Sequence, residues 1–170
     1  MSRPEKSEYD PYYEGYISLV IDKDIMDTLA SQPTKLNDLF TAMPDERGEY
    51  RYAEGKWSVK ELLGHLIDAE RMFAYRLLRI SRADETPIEG FEQDIYIENA
   101  HSNRRSFRDL LDEFALLRRA NMIYLNNMTD EAWTRFGTAN KAKISARAIV
   151  YIMAGHIEHH LGVLKERYSI

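Results

Sequence analysis

The apolar stripe of the C-terminal segment constrains the fold more than any other feature. Ser145 stands where a helix cap belongs. Ile149, Ile152, Met153, His156, His160, Val163 and Leu164 then recur at the three- and four-residue spacing of one helix face. Such a face has to be covered, and three further segments offer helical faces to cover it. From Asp22 to Ala42, the residues Ile25, Met26, Leu29, Leu36, Leu39 and Phe40 share a side. Pro33 lies within that segment and predicts a kink or a split. Ser58 and Glu61 make a capping box at the start of the next segment, where Val59, Leu62, Leu66, Ala69, Phe73 and Leu77 follow through about Ser81. Ser106, with Asp109 in the capping-box position, starts a third segment. Its inner face is Leu110, Leu111, Phe114, Leu117, Asn121, Tyr124 and Leu125, ending near Met128.

No segment shows strand alternation between hairpin signals. The expectation is therefore an all-α fold, an antiparallel four-helix bundle with long connections between helices. Those connections, Pro44 to Trp57 and the region around Phe91 to Ser102, are long for a simple up-down bundle and suit a lid or mouth over a site. The length of 170 residues fits a single domain, 1–170, with 1–15 as an N-terminal extension.

Composition narrows the function classes. A chain that is 44% hydrophobic and 30% charged is not grossly disordered. The net charge of −5, from 23 basic and 28 acidic residues, argues against a nucleic-acid partner. The pairs Arg104/Arg105 and Arg118/Arg119 sit among acidic residues and read as solvated helix faces. With no cysteine there is no disulfide framework, and any metal has to be held by histidines and carboxylates. Residues 1–11 lack the apolar core of a signal peptide, and the run Ala148 to Gly155 falls far short of a membrane span. A cytoplasmic protein without a membrane partner is expected.

His156 and His160 lie one turn apart on the same face, inside the apolar stripe, where one ion can be chelated. Buried imidazoles need partners, and a metal, a buried carboxylate or a water network are the alternatives. His65 sits at the edge of the apolar face of the second helix, beside Ala69 and Met72. Antiparallel packing of that helix against the last would bring His65 level with the other two. His156-Ile-Glu-His-His lacks the His-Glu-x-x-His order, so the glutamate base of that zinc protease motif is missing. His159 points about 60° away and reads as a surface or interface residue. His101 falls in a loop. Asp68, three residues after His65, is a weak candidate for a supporting carboxylate or a base, and equally for a solvated charge. Glu61 and Glu70 read the same way. The tyrosines at 9, 12, 13 and 16, and Trp57, read as packing residues.

The stretches Gly55-Lys-Trp-Ser-Val-Lys-Glu-Leu-Leu-Gly-His-Leu-Ile-Asp-Ala-Glu70 and Ala154-Gly-His-Ile-Glu-His-His-Leu161 resemble the DinB/YfiT-like superfamily, in particular its DinB_2-type proteins. So do Arg82-Ala-Asp-Glu-Thr-Pro87 and the ending Glu166-Arg-Tyr168, and the resemblance spans roughly Tyr16 to Tyr168. It implies an antiparallel four-helix bundle with a three-histidine site for a divalent metal, nickel or zinc, at His65, His156 and His160. It also implies a homodimer. Characterised members use low-molecular-weight thiols as S-transferases or isomerases, while others are described as metal-dependent hydrolases. The reading is a metal-dependent transferase that activates such a thiol toward a small-molecule substrate. The alternatives are a metal-dependent hydrolase and a non-enzymatic metal-binding stress or interaction protein.

Overall fold

In a computed structural model describing residues 2–170, the chain forms seven α-helices and one hairpin. Four long helices build the bundle: α2 (Ile25–Phe40), α3 (Val59–Ser81), α5 (Phe107–Asn126) and α7 (Ala146–Arg167). Between them lie α1 (Glu14–Ser18), α4 (Gln93–Ala100), α6 (Asp130–Thr134), β1 (Phe136–Ala139) and β2 (Ala142–Ser145). Side-chain caps start each long helix. Asp24 caps α2, Ser58 with Glu61 closes a full capping box on α3, and Ser106 and Ser145 cap α5 and α7. Each accepts a backbone N–H that the first turn would otherwise leave unsatisfied.

Helix α3 packs against α5 and α7, and α2 packs against the same two from the opposite corner. The start of α3 meets the end of α7, where the Tyr168 hydroxyl donates to the Trp57 carbonyl at 2.7 Å. At the other end of α3, the Ser81 carbonyl accepts from Arg135, just before β1 and α7. The pair α3/α7 is therefore antiparallel, and so is α2/α5, where Phe40 stacks on Phe107. The long connection from α3 to α5 lets those two neighbours run in the same direction: Ser58 meets Asn103 at one end and Ser81 meets Tyr124 at the other.

Of the two outcomes expected at Pro33, the split does not occur, for α2 is one helix. Proline has no N–H for the Leu29 carbonyl, and Arg118 Nη1 donates to that carbonyl instead, at 3.0 Å. Arg118 is correspondingly not on a solvated face. It is 1% exposed and bonded to both oxygens of Glu70 at 2.8 Å and to Gln32 Oε1 at 2.7 Å, while Asn121 donates to Glu70 at 2.7 Å. This polar layer divides the core into two apolar clusters, one around Ala146 to Ala154 and one around Ile157 to Tyr168.

The hairpin departs from the expected all-helical chain. Asn140 and Lys141, both at positive φ (50° and 65°), turn β1 into β2 with Ala139 opposite Ala142. Ile88 adds a bridge to Ala139, with Asn140 donating to its carbonyl at 2.9 Å. The connection from α3 to α4 is thereby pinned beside the bundle, and residues 90–93 lie along a cleft leading to the histidines. Within residues 2–15, Tyr9 is in the core, and buried Glu8 pairs with Arg147 and accepts from Ser145 at 2.6 Å. Among the described residues, no helix is long and apolar enough to cross a membrane.

Candidate metal centre

Three imidazoles meet between α3 and α7. His65 Nε2 lies 3.0 Å from His156 Nε2, which lies 3.2 Å from His160 Nε2, and all three side chains are buried. The α3/α7 antiparallel pairing produces this meeting, because it sets the second turn of α3 level with the middle of α7 and the turn that follows it. Trp57 covers His65 at a ring distance of 4.9 Å, and Phe73 and Tyr16 set their edges against His156 at 5.6 and 5.4 Å. Tyr16 comes this close because Gly155 lacks a side chain. A Cβ there would stand 2.0 Å from the Tyr16 carbonyl oxygen.

Burial removes the solvation a charged imidazole needs, and it lowers the pKa of all three rings. His65 falls to about 4, with Asp94 partly opposing the shift and His159 adding to it. His160 falls to about 3, through burial and then the proximity of His65 and His159. His156 falls well below the usual histidine range, for burial is reinforced there by His160 and His65. At neutral pH all three rings are uncharged.

The donor set fits a cation. A neutral imidazole presents either one N–H or one lone pair at Nε2, so His156 Nε2 cannot satisfy two nitrogen neighbours with one good hydrogen bond. His160 Nδ1 is also buried without a hydrogen-bond partner. A divalent ion would take a lone pair from each ring, and nitrogens about 2.0–2.1 Å from one tetrahedral ion stand roughly 3.3 Å apart. Among the described residues, His65, His156 and His160 form the group of ligating atoms close enough to share an ion.

The other candidates fall elsewhere. Asp68 is half-buried, with its carboxyl pKa raised by burial and by Glu113 against the opposing effect of Arg71, and no hydrogen bond joins it to the histidines. His159 is exposed, its ring edge against Tyr16 and His160. His101 is exposed in a left-handed conformation between α4 and the next turn. Glu61 accepts from Arg51, Asn103 and the Ser58 backbone, which makes it part of the α3 start. Glu158 binds Gln32, Lys35 and Lys23 where α7 faces α2.

Two clefts border the imidazoles. One, about 240 Å³, is bounded by His65, His156, Tyr16, Phe73 and Arg76. The other, about 340 Å³, is bounded by His160, Trp57, Tyr52, Tyr168 and Asp94. A larger groove of about 590 Å³ along α5 touches none of the histidines. The tyrosines and Trp57, read from sequence as packing residues, are walls of these clefts. Arg76 went unnoticed, although an arginine beside Phe73 and Leu77 on an otherwise apolar face was its signal.

The sequence profile of the DinB superfamily matches residues 28–164. YfiT of Bacillus subtilis, provisionally named a metal-dependent hydrolase, is 25% identical over 81% of this chain and 79% of its own length. A protein of Oceanobacillus iheyensis with the same provisional name is 23% identical over 77% of this chain and 76% of its own. The solved structure of YfiT superposes with a TM-score of 0.76 at 20% identity, covering 98% of this chain and 93% of YfiT, and it is described as an unusual four-helix bundle topology. The mycothiol-dependent maleylpyruvate isomerase superposes with a TM-score of 0.63 at 14% identity, covering 87% of this chain and 58% of the isomerase. These likenesses at low identity establish the shared bundle.

Proposed function

This chain belongs to the DinB superfamily, and from that premise we propose that it is a metal-dependent transferase acting on a low-molecular-weight thiol and a small electrophile. The convergence of three uncharged imidazoles at the meeting of two clefts carries the reading. His65, His156 and His160 would hold the ion, and zinc and nickel both suit an all-imidazole set. A divalent ion supplies positive charge that lowers the pKa of a thiol or a water brought beside it.

The chain's own residues do the rest. Burial keeps the three rings neutral, so their lone pairs are free at physiological pH. Trp57, Phe73 and Tyr16 restrict water around them, which strengthens any charge interaction at the centre. Two separate clefts border the histidines, which suits a reaction between two substrates. The chain contains no cysteine, so the thiol has to be a substrate.

Hydrolysis is the second reading, favoured by the provisional names of the two relatives. Added thiol separates the two. Zinc- or nickel-loaded protein is incubated with monochlorobimane or an activated ester, with and without a small thiol. Transfer predicts a thioether formed faster than without protein, only with thiol present, and lost in His156→Ala. Ester cleavage without thiol would support hydrolysis instead. Neither activity in metal-loaded protein would contradict an enzymatic role.

A further inference from the structure

Arg76 is a buried arginine with nothing to bind. It is 5% exposed, its Nε has no hydrogen-bond partner, and it makes no ion pair or cation–π contact with any described residue. Arg118, buried to a similar depth, shows how this bundle stabilises a guanidinium whose role is structural: a two-oxygen grip on Glu70, with Gln32 and the Leu29 carbonyl on the remaining edge. Arg76 has no such set. An arginine cannot lose its proton to escape burial, so a full positive charge remains with no counter-charge from the protein.

Its position gives that charge a use. Arg76 follows His65 by eleven residues on α3, which returns it to nearly the same helix face, with Cα atoms about 16 Å apart along the axis. Side chains on one helix lean the same way, toward its N-terminus, so the longer arginine chain closes only part of that spacing and a ligand in the cleft has to span the rest. The two groups border one cleft of about 240 Å³, walled by Tyr13, Tyr16 and Phe73. Glu92 stands on its rim, exposed and not paired with Arg76.

We propose that Arg76 binds the anionic end of the substrate: a carboxylate or phosphate gripped by the guanidinium fork, on an aromatic or apolar body reaching along Tyr16 and Phe73 toward the imidazoles. A planar guanidinium presents paired N–H groups that match two oxygens of either group. The cleft volume limits the ligand to a small organic anion rather than a polymer. The assignment rests on the reading that this cleft serves the histidine centre, and its test is independent of any activity.

Calorimetric titrations of the purified protein with 3-phenylpropionate, phenyl phosphate and the uncharged 3-phenylpropionamide test it. One or both anions bind saturably and at least about tenfold tighter than the amide, and the tighter anion identifies the head group. Arg76→Met removes that preference while leaving amide binding in place. Should Arg76→Met not fold, the anion–amide comparison in wild type decides alone. Metal-stripped wild type keeps the preference, so the anion site stands even where the thiol-transfer assay fails. Equal affinity for anion and amide, an unchanged preference in Arg76→Met, or a preference that vanishes with the metal overturns the proposal.

Discussion

His156 takes part in both nitrogen contacts of the centre, at 3.0 and 3.2 Å, and is buried like its two neighbours. Its two neighbours hold their protons only near pH 4 and 3. Because these pKa values lie below that of a free imidazole, protons compete for the nitrogens only in more acidic solution. Metal bound here is expected to stay through about pH 5.5 and leave as the pH approaches about 4, followed by equilibrium dialysis across that range. Release already complete above about pH 6 would contradict ligands for which protons compete only in more acidic solution. The ligand spacing was legible, since four residues on α7 place two rings on one face. The depth of burial was not, because it depends on Trp57, Phe73 and Tyr16 arriving from three other parts of the chain.

Between elements, single contacts decide the geometry. Glu70 on α3 neutralises Arg118 on α5 deep in the bundle. Glu70→Ala leaves that guanidinium buried without its counter-charge and is expected to lower stability by about 3–5 kcal/mol in urea unfolding. A loss below about 1 kcal/mol would mean that water reaches the layer. Gly155 lets the Tyr16 backbone touch α7. Gly155→Ala forces backbone apart rather than a flexible side-chain tip, at a cost of about 1–3 kcal/mol, and moves Tyr16 off His156. Unchanged stability together with unchanged Tyr16 chemical shifts would contradict that close approach. The caps and stripes of α3, α5 and α7 were readable because they are local. The layer was not, because Arg118 beside Arg119 looks like surface until Glu70, 48 residues away, is packed against it. The hairpin escaped for a different reason. Its strands are four residues each, and its turn uses Asn140-Lys141 where a glycine would have announced positive φ.

At the scale of the molecule, the N-terminal segment closes the bundle through Glu8. Burial alone would raise this carboxyl, but the Arg147 guanidinium, the Glu5 backbone N–H and the Ser145 hydroxyl outweigh it and hold the pKa at about 2. A folded-state pKa below the unfolded value means that the contribution is complete above about 4.5 and is lost as the pH falls from there toward about 2. Thermal melts of Glu8→Gln are expected to show lower stability than wild type at neutral pH and a shallower loss across that acid window. Parallel curves would remove Glu8 from the account. The fold class followed from the four apolar stripes, whereas the mixed helix directions depend on the long connection over Gly90 that Ile88 pins to the hairpin. The central claim is that the bundle brings three imidazoles together to hold one ion. Its most direct test is elemental analysis after dialysis against metal-free buffer, with wild type beside His156→Ala and His101→Ala. About one equivalent of zinc or nickel is expected in wild type and in His101→Ala, and none in His156→Ala. Protein that holds no metal and takes none up, or His156→Ala with wild-type content, would contradict it.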